Sequence, residues 1–139
     1  HTNYEGKARA AVKALTEDGY DFAYIHVEAP DEMGHQGRVE DKIAAIGYVD
    51  EKILGVVMDG LKSAGEDFRL LLLPDHPTPI EVRTHTGEPV PYLLYDSTAK
   101  AEGMPAYSEE TAALTGKNWP EGYRLIGHLL QERGEEEQC

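Results

Sequence analysis

Residues 68–74, FRLLLLP, decide the fold that the sequence predicts. Four leucines follow one another there, without the alternation of apolar and polar residues that marks a strand with one face in water. Such a run is typical of a strand that helices cover on both faces, as in parallel sheets. We therefore expect a layered α/β/α fold with a mostly parallel sheet.

The segments before this strand predict the same class of fold. Thr2 and Glu5 have the spacing of a capping box, and apolar residues then recur at helical spacing until Gly19. The β-branched and aromatic residues of 21–28, DFAYIHVE, predict a second strand. Residues 39–61 predict a helix long enough to cross over between parallel strands.

The segments after this strand predict one more strand and two helices. The strand is 90–96, VPYLLYD, and the helices are 108–114 and 121–133, with a solvated tail after them. Doubly wound sheets have roughly five or six strands, so the sheet is either small or part of a larger one. We expect residues 1–139 to form a single metal-binding domain.

The charge of the chain excludes two classes of partner. The sequence has 13 basic and 26 acidic side chains, which give a net charge of −13. A surface this negative repels nucleic acid and anionic lipid. It also repels a phosphorylated metabolite unless bound cations reverse the local potential, so a phosphate site in this chain requires metal.

The sequence also indicates where the protein works. No run of about 18 apolar residues is present, so we expect no membrane span. The first residues lack the apolar stretch of a secretory signal, and the single cysteine, Cys139, has no partner for a disulfide. We therefore expect a cytoplasmic protein.

Candidate metal ligands follow the predicted strands, where open parallel sheets bind their ligands. The first loop, EAPDEMGHQG, carries Asp31 and His35, with Gly34 and Gly37 giving the backbone freedom to turn both side chains toward one point. The later loops, LPDHPTP and RTHTG, carry the remaining candidates, Asp75, His76 and His85.

Two carboxylates and three imidazoles are a donor set that suits Mn²⁺, Zn²⁺ or Fe²⁺. Each residue also has an ordinary interpretation, because an aspartate can cap a turn and a lone loop histidine is usually a surface residue. The occurrence of all five at predicted strand ends favours a metal site.

Other polar residues are left outside the predicted site. His26 is expected to be buried in a strand, and His1 and His128 lack an acidic companion at ligand spacing. Thr78 and Thr86 are either nucleophiles or turn residues that bond to their own backbone, and Arg83 binds either a phosphate or a neighbouring carboxylate. The sequence leaves these alternatives open.

Three stretches of the sequence resemble a known family. They are TNYEGKA, HVEAPDEMGHQG and LLLPDHPTPIEVRTHTGEPVPYLLYDS. These resemble the archaeal-type branch of cofactor-independent phosphoglycerate mutases, in the alkaline phosphatase superfamily. The resemblance implies an alkaline-phosphatase-like α/β/α fold, of which this chain is an incomplete, C-terminal part.

The resemblance also implies a site and a reaction. Two divalent ions, manganese or zinc, would be bound, the first by Asp31, His35 and His85 and the second by Asp75 and His76. The glycolytic reaction would interconvert 3-phosphoglycerate and 2-phosphoglycerate through a phosphoserine. The family's nucleophilic serine cannot be placed in this sequence, so no catalytic residue is expected in the chain, and the chain alone is expected to be inactive.

Two alternatives to the mutase remain open. One is a phosphatase or another phosphotransferase of the same superfamily, because the metal ligands are shared and other segments choose the substrate. The other is a metal-binding chain that catalyses nothing. Because the part of the family's sheet that would cover its edge cannot be placed in this sequence, we also expect self-association through that exposed edge.

Overall fold

The computed structural model of the chain describes residues 2–100 and 102–131. They form two compact units, one of residues 2–67 and 76–88 and one of residues 68–75 and 89–131 without 101. The elements of the first unit are α1 (Tyr4–Thr16), α2 (Ala29–His35), α3 (Val39–Tyr48), a π-helical segment (Val49–Leu54) and α4 (Gly55–Ser63). Those of the second are β1 (Arg69–Leu72), β2 (Leu93–Asp96), α5 (Glu109–Leu114), a 3₁₀ helix (Gly122–Arg124) and α6 (Leu125–Leu130). The α/β class is confirmed, whereas the single domain stays a prediction.

The predicted first helix is present as α1, but its cap differs from the prediction. The side chain of Asn3, rather than that of Thr2, accepts a hydrogen bond from the Gly6 amide at 3.0 Å. This bond satisfies one of the amides that a helix N-terminus leaves without an intrahelical partner. The face of α1 that carries Ala8 and Ala11 is buried.

The predicted long helix is confirmed. Residues 39–63 are helical throughout, since α3 continues through the π-helical segment into α4. α1 packs on the π-helical segment and α4, and α2 packs on α3. The buried apolar residues of this helix are Ala45, Ile53, Val57 and Leu61.

The strand predicted at 21–28 is wrong for the part of the chain that the structure describes, because these residues lie in neither helix nor strand. The side chains alternate as in a strand: Ala23, Ile25 and Val27 are half-buried, and Phe22, Tyr24 and His26 are exposed. A strand also requires a neighbour that completes its hydrogen-bond ladder. Among residues 2–100 and 102–131, none forms a backbone ladder with this segment.

The second unit contains the two strands that form a sheet in the described residues, and they run antiparallel. Arg69 pairs with Asp96 at one end and Leu72 with Leu93 at the other. The prediction of a mostly parallel sheet is therefore not confirmed in the described residues. The physical reason is the connection: residues 73–92 contain no crossover helix of the kind that parallel neighbours need. The leucines of β1 are half-buried rather than covered on both faces.

The last helices agree with the prediction as far as the structure describes them. Ser108 caps α5, and its hydroxyl and that of Thr111 form a reciprocal capping box. The predicted helix 121–133 is present as the 3₁₀ turn and α6, while its last residues and the predicted tail with Cys139 lie outside the described residues. The Arg69 guanidinium bonds to Asp96 and to the carbonyls of His128 and Gln131. No helix in the described ranges combines the length and apolar composition needed to cross a membrane.

The close approach of α1 and α4 generates a prediction about stability. A Cβ atom added at Gly60 would lie 2.8 Å from Cγ1 of Val12, whereas one added at Gly47 in α3 would meet nothing within 4 Å. We expect Gly60→Ala to lower the free energy of unfolding by about 1–3 kcal/mol, because Val12 is stiff at χ1 and the helices must move apart.

The matched control is Gly47→Ala, measured by urea denaturation beside the parent. It replaces a helical glycine in open space and should raise the free energy of unfolding by about 0.5–1 kcal/mol. Equal stability changes in the two variants would contradict this description of the α1–α4 contact.

Candidate metal centre

Asp31 and His35 lie one helical turn apart on α2, which the sequence had predicted to be a loop. Proline at its start and the acidic first turn favour a helix there. In that geometry residues four apart share one face, and His35 Nε2 lies 3.4 Å from Oδ2 of Asp31. The four-residue spacing along a helix therefore brings these two side chains together, rather than the backbone freedom of Gly34 and Gly37.

Residues 76–85 add two more imidazoles to the same place. His85 Nε2 lies 3.3 Å from Oδ1 of Asp31 and 3.2 Å from Nε2 of His35. The His76 ring stacks on the His85 ring with centroids 3.5 Å apart. Asp31, His76 and His85 each offer a ligand atom, and these atoms lie within 4.8 Å of one another. We call Asp31, His35, His76 and His85 the imidazole–carboxylate cluster.

Three contacts hold residues 76–85 against helices α2 and α3. The Lys42 ammonium on α3 donates to the Thr78 carbonyl at 2.6 Å. The Thr78 hydroxyl donates to Oδ1 of Asp31 at 2.5 Å. Gly34 permits the approach, since a Cβ atom there would lie only 2.6 Å from the Thr78 carbonyl oxygen. The glycine in α2 is thus explained by close packing.

Arg83 makes a fourth contact through its backbone. It has a φ of +57°, and it is the non-glycine residue with positive φ in the part of the chain that the structure describes. Its carbonyl accepts a hydrogen bond from Nδ1 of His35 at 2.9 Å. Its guanidinium lies over Gly37, which has a φ of +65° and where a Cβ atom would come within 2.6 Å of Nε.

The hydrogen bonds and spacing of the cluster fit a metal ion. Because a carbonyl only accepts, the proton of neutral His35 is on Nδ1, and the lone pair of Nε2 faces Asp31 and His85. A ligating histidine commonly donates its other N–H to a carbonyl in this way. With metal–ligand bonds of about 2.0–2.1 Å, the ligand atoms of a tetrahedral site lie about 3.3 Å apart. The Nε2 atoms of His35 and His85 lie 3.2 Å apart, His35 Nε2 lies 3.4 Å from Oδ2 of Asp31, and His85 Nε2 lies 3.3 Å from the other oxygen, Oδ1.

The electrostatics of the cluster keep its carboxylate charged. Burial acts to raise the pKa of Asp31, but the bond from the Thr78 hydroxyl and the neighbouring imidazoles of His35, His85 and His76 outweigh it and hold that pKa below its usual value. The carboxylate side chain is about one-third exposed. A cation that reaches the cluster therefore meets an ionised ligand.

The other sequence candidates have different surroundings. Asp75 is the last residue of segment 68–75 in the second unit, and it is not among the residues that the structure places in the cluster. The Thr86 hydroxyl lowers the pKa of the Glu88 carboxyl. This hydroxyl is buried and forms no hydrogen bond of standard geometry with a described residue.

The remaining histidines lie outside the cluster. His26 is half-exposed rather than buried, and His128 lies against Trp119. His1 lies outside the described residues.

Sequence reasoning missed Lys42 and left Thr78 without a role at the site. Lys42 acts on a residue 36 positions away, and its place in the 39–61 helix gives no local signal of that contact. Thr78 follows the DH pair by two residues, so its position beside the candidate ligands was the one available clue.

The profile of the Metalloenzyme superfamily matches residues 1–117. The chain belongs to this superfamily. The imidazole–carboxylate cluster lies within the matched range, so membership in the metalloenzyme superfamily and the local geometry together indicate binding of a divalent metal ion.

Individual relatives within the metalloenzyme superfamily are named 2,3-bisphosphoglycerate-independent phosphoglycerate mutase. The protein of Methanothrix thermoacetophila is 47% identical over 129 residues, which are 93% of this chain and 32% of the relative. A protein of Geobacter sulfurreducens, named a probable mutase of this kind, is 44% identical over 130 residues, again 93% and 32%. The chain thus spans about a third of the length of these relatives.

A solved structure shares the fold. The PH0037 protein from Pyrococcus horikoshii is 30% identical, with a TM-score of 0.70, over 81% of this chain and 33% of that one. The similarity supports the α/β architecture of this member of the metalloenzyme superfamily.

Proposed function

We propose that this chain is the metal-binding part of a 2,3-bisphosphoglycerate-independent phosphoglycerate mutase, which interconverts 3-phosphoglycerate and 2-phosphoglycerate. The names of its relatives support the reaction. The observation that carries the proposal is the convergence of His35 and His85, whose Nε2 atoms lie 3.2 Å apart, on the Asp31 carboxylate, with one oxygen 3.4 Å from His35 and the other 3.3 Å from His85. In the whole protein, the layered α/β/α arrangement would surround this centre.

We assign the ligands as follows. Asp31, His35 and His85 would bind one ion, and His76 with Asp75 would bind a second, each ion being manganese or zinc. Imidazole and carboxylate donors suit both metals. The stacking of His76 on His85 supports two neighbouring sites, because it puts a candidate ligand of the second ion beside one of the first.

Bound divalent ions would supply positive charge that stabilises phosphoryl oxygens and lowers the pKa of a hydroxyl nucleophile. The chain's own residues hold that charge where an anionic substrate can reach it, in a protein whose net charge of −13 otherwise repels phosphoglycerate. His35 and His85 present ring nitrogens at a surface where about half of each side chain is exposed. The phosphoserine of the proposed reaction would come from a serine outside these 139 residues.

The reaction is tested by grafting. We expect the 139-residue chain alone to show no mutase activity, and a chimaera in which it replaces the matching segment of the Methanothrix thermoacetophila relative to interconvert the two phosphoglycerates. His85→Ala in the chimaera should lower kcat/KM by about 100-fold or more, because it removes a ligand of the metal that carries the electrostatic stabilisation.

The control for the graft is His128→Ala, which removes an imidazole packed on Trp119 and should leave activity close to that of the parent chimaera. Release of inorganic phosphate and glycerate would favour a phosphatase instead. A chimaera that folds and binds metal but turns over neither phosphoglycerate would favour a non-catalytic metal-binding chain. Mutase activity of the isolated chain would show that the nucleophile assignment is wrong.

Metal binding is tested on the 139-residue chain itself. Calorimetric titration of the metal-free protein with Zn²⁺ should show one strong site, formed by Asp31, His35 and His85, and a weaker second one. We expect His85→Ala to weaken the strong site by at least about tenfold, since the remaining pair leaves more of the coordination shell to water. The ligand assignment fails if His85→Ala binds as tightly as the parent, or if His128→Ala loses binding to the same extent.

We also propose that the isolated chain self-associates through the sheet edge that segment 21–28 would form on pairing with a second copy. The side chains of the segment alternate as in a strand, and its backbone forms no ladder with the described residues, so a second copy would supply the missing neighbour. Sedimentation velocity should show a dimer whose fraction increases with protein concentration. A lysine on an edge opposes pairing, so Tyr24→Lys should shift the equilibrium toward monomer.

The matched control for self-association is Tyr123→Lys, because both tyrosines are highly exposed, at 77% and 73%. It should leave the dimer unchanged. A monomer at all concentrations would contradict the proposal.

We further propose that the protein works in the cytoplasm. The proposed glycolytic substrate and the scarcity of cysteine in the sequence support this location.

A further inference from the structure

Thr78 differs from the other polar side chains of the site by its burial. Its exposure is 5%, and among residues 2–100 and 102–131 it is the polar residue that is buried as a whole. The histidines and the aspartate around it are at least partly exposed. A hydroxyl so enclosed is not open to a substrate, which argues against Thr78 as a nucleophile and for a role exerted through its neighbours.

The Thr78 hydroxyl contacts two candidate ligands at once. Oγ1 lies 2.5 Å from Oδ1 of Asp31 and 3.2 Å from Nδ1 of His76. A hydroxyl has one proton to donate, and the Asp31 carboxylate, which only accepts, receives it. At His76 the same oxygen must then accept, so Nδ1 of that imidazole carries the proton. In a neutral ring this leaves the lone pair on Nε2.

The backbone around Thr78 keeps this hydroxyl in place. Lys42 holds its carbonyl at 2.6 Å, and Gly34 packs directly on the residue, since a Cβ there would lie 2.6 Å from that carbonyl oxygen and 3.0 Å from the Thr78 methyl group. Both contacts come from helices that do not carry His76. The position of the hydroxyl is therefore set before any ion binds.

We propose that Thr78 is a positioning residue that couples the two halves of the metal centre: its hydroxyl orients the Asp31 carboxylate and selects the His76 tautomer that presents Nε2. The inference rests on the proposed metal centre for its consequence, because Asp31 is assigned to one ion and His76 to the other. Loss of the hydroxyl should affect both sites, whereas loss of one ligand should affect chiefly its own site.

The first test reads the tautomer in the metal-free chain, so it does not depend on metal binding. Long-range ¹H–¹⁵N correlation spectra at about pH 8, above the ordinary histidine pKa, should show His76 protonated on Nδ1 in the parent and in Thr78→Ser. In Thr78→Val, which keeps the shape but lacks the hydroxyl, His76 should shift toward the Nε2–H tautomer. His35, whose Nδ1 bonds to the Arg83 carbonyl, should stay unchanged and serves as the internal control.

The second test measures affinity with Zn²⁺ alone as the probe. Thr78→Val should weaken both sites by about 10- to 100-fold, as loss of an outer-shell partner typically does, and Thr78→Ser should restore binding to near the parent. Thr16→Val is the matched control, because it removes a threonine hydroxyl that bonds to the Val12 carbonyl in the same unit. It should bind as the parent does.

The outcomes separate this inference from the proposed function. A parent chain whose His76 carries its proton on Nε2 overturns the inference, even if Thr78→Val does not fold. Unchanged Zn²⁺ affinity in a folded Thr78→Val overturns it as well. If the parent has the expected His76 tautomer but binds no Zn²⁺, the hydroxyl has the inferred orientation and the metal-binding proposal is the part that is wrong.

Discussion

The bond from the Lys42 ammonium to the Thr78 carbonyl holds residues 76–85 against helix α3. Asp31 and His35 are already placed by the helix that carries them, but His76 and His85 lie on a segment without helix or strand. That segment reaches the helical pair because Gly34 leaves room for its backbone and Lys42 satisfies the carbonyl that approaches. The geometry of the cluster therefore depends on the packing of residues 76–85 as much as on the ligands themselves.

The chemistry of the cluster follows from this packing. Three side chains of the cluster form hydrogen bonds with residues outside it: His35 with the Arg83 carbonyl, and Asp31 and His76 with the Thr78 hydroxyl. Such outer contacts orient ligands before the metal arrives and reduce the ordering that binding requires. The positive φ of Arg83 is part of the same arrangement, because the carbonyl that orients His35 belongs to that residue.

Some predictions held because they rest on local physics. The long helix 39–63 and the short helix predicted at 108–114, which the structure has at Glu109–Leu114, both follow from the local sequence pattern. Predictions that needed a partner segment did not hold. Residues 21–28 have the composition and alternation of a strand, yet no described neighbour pairs with them. The leucines of β1 form the expected strand, but its neighbour runs antiparallel.

The sequence by itself determined which residues are candidate metal ligands, since the DEMGH and DHPT motifs and the family resemblance single out Asp31, His35, Asp75, His76 and His85. Only the tertiary structure decided how four of them meet, that α2 rather than a loop carries the first pair, and that Lys42 and Thr78 support them. The physical reason is the distance along the sequence between the residues that interact. Helix formation and capping depend on residues a few positions apart, whereas the contacts that bring residues 76–85 to the helices join residues 36 to 54 positions apart and depend on packing.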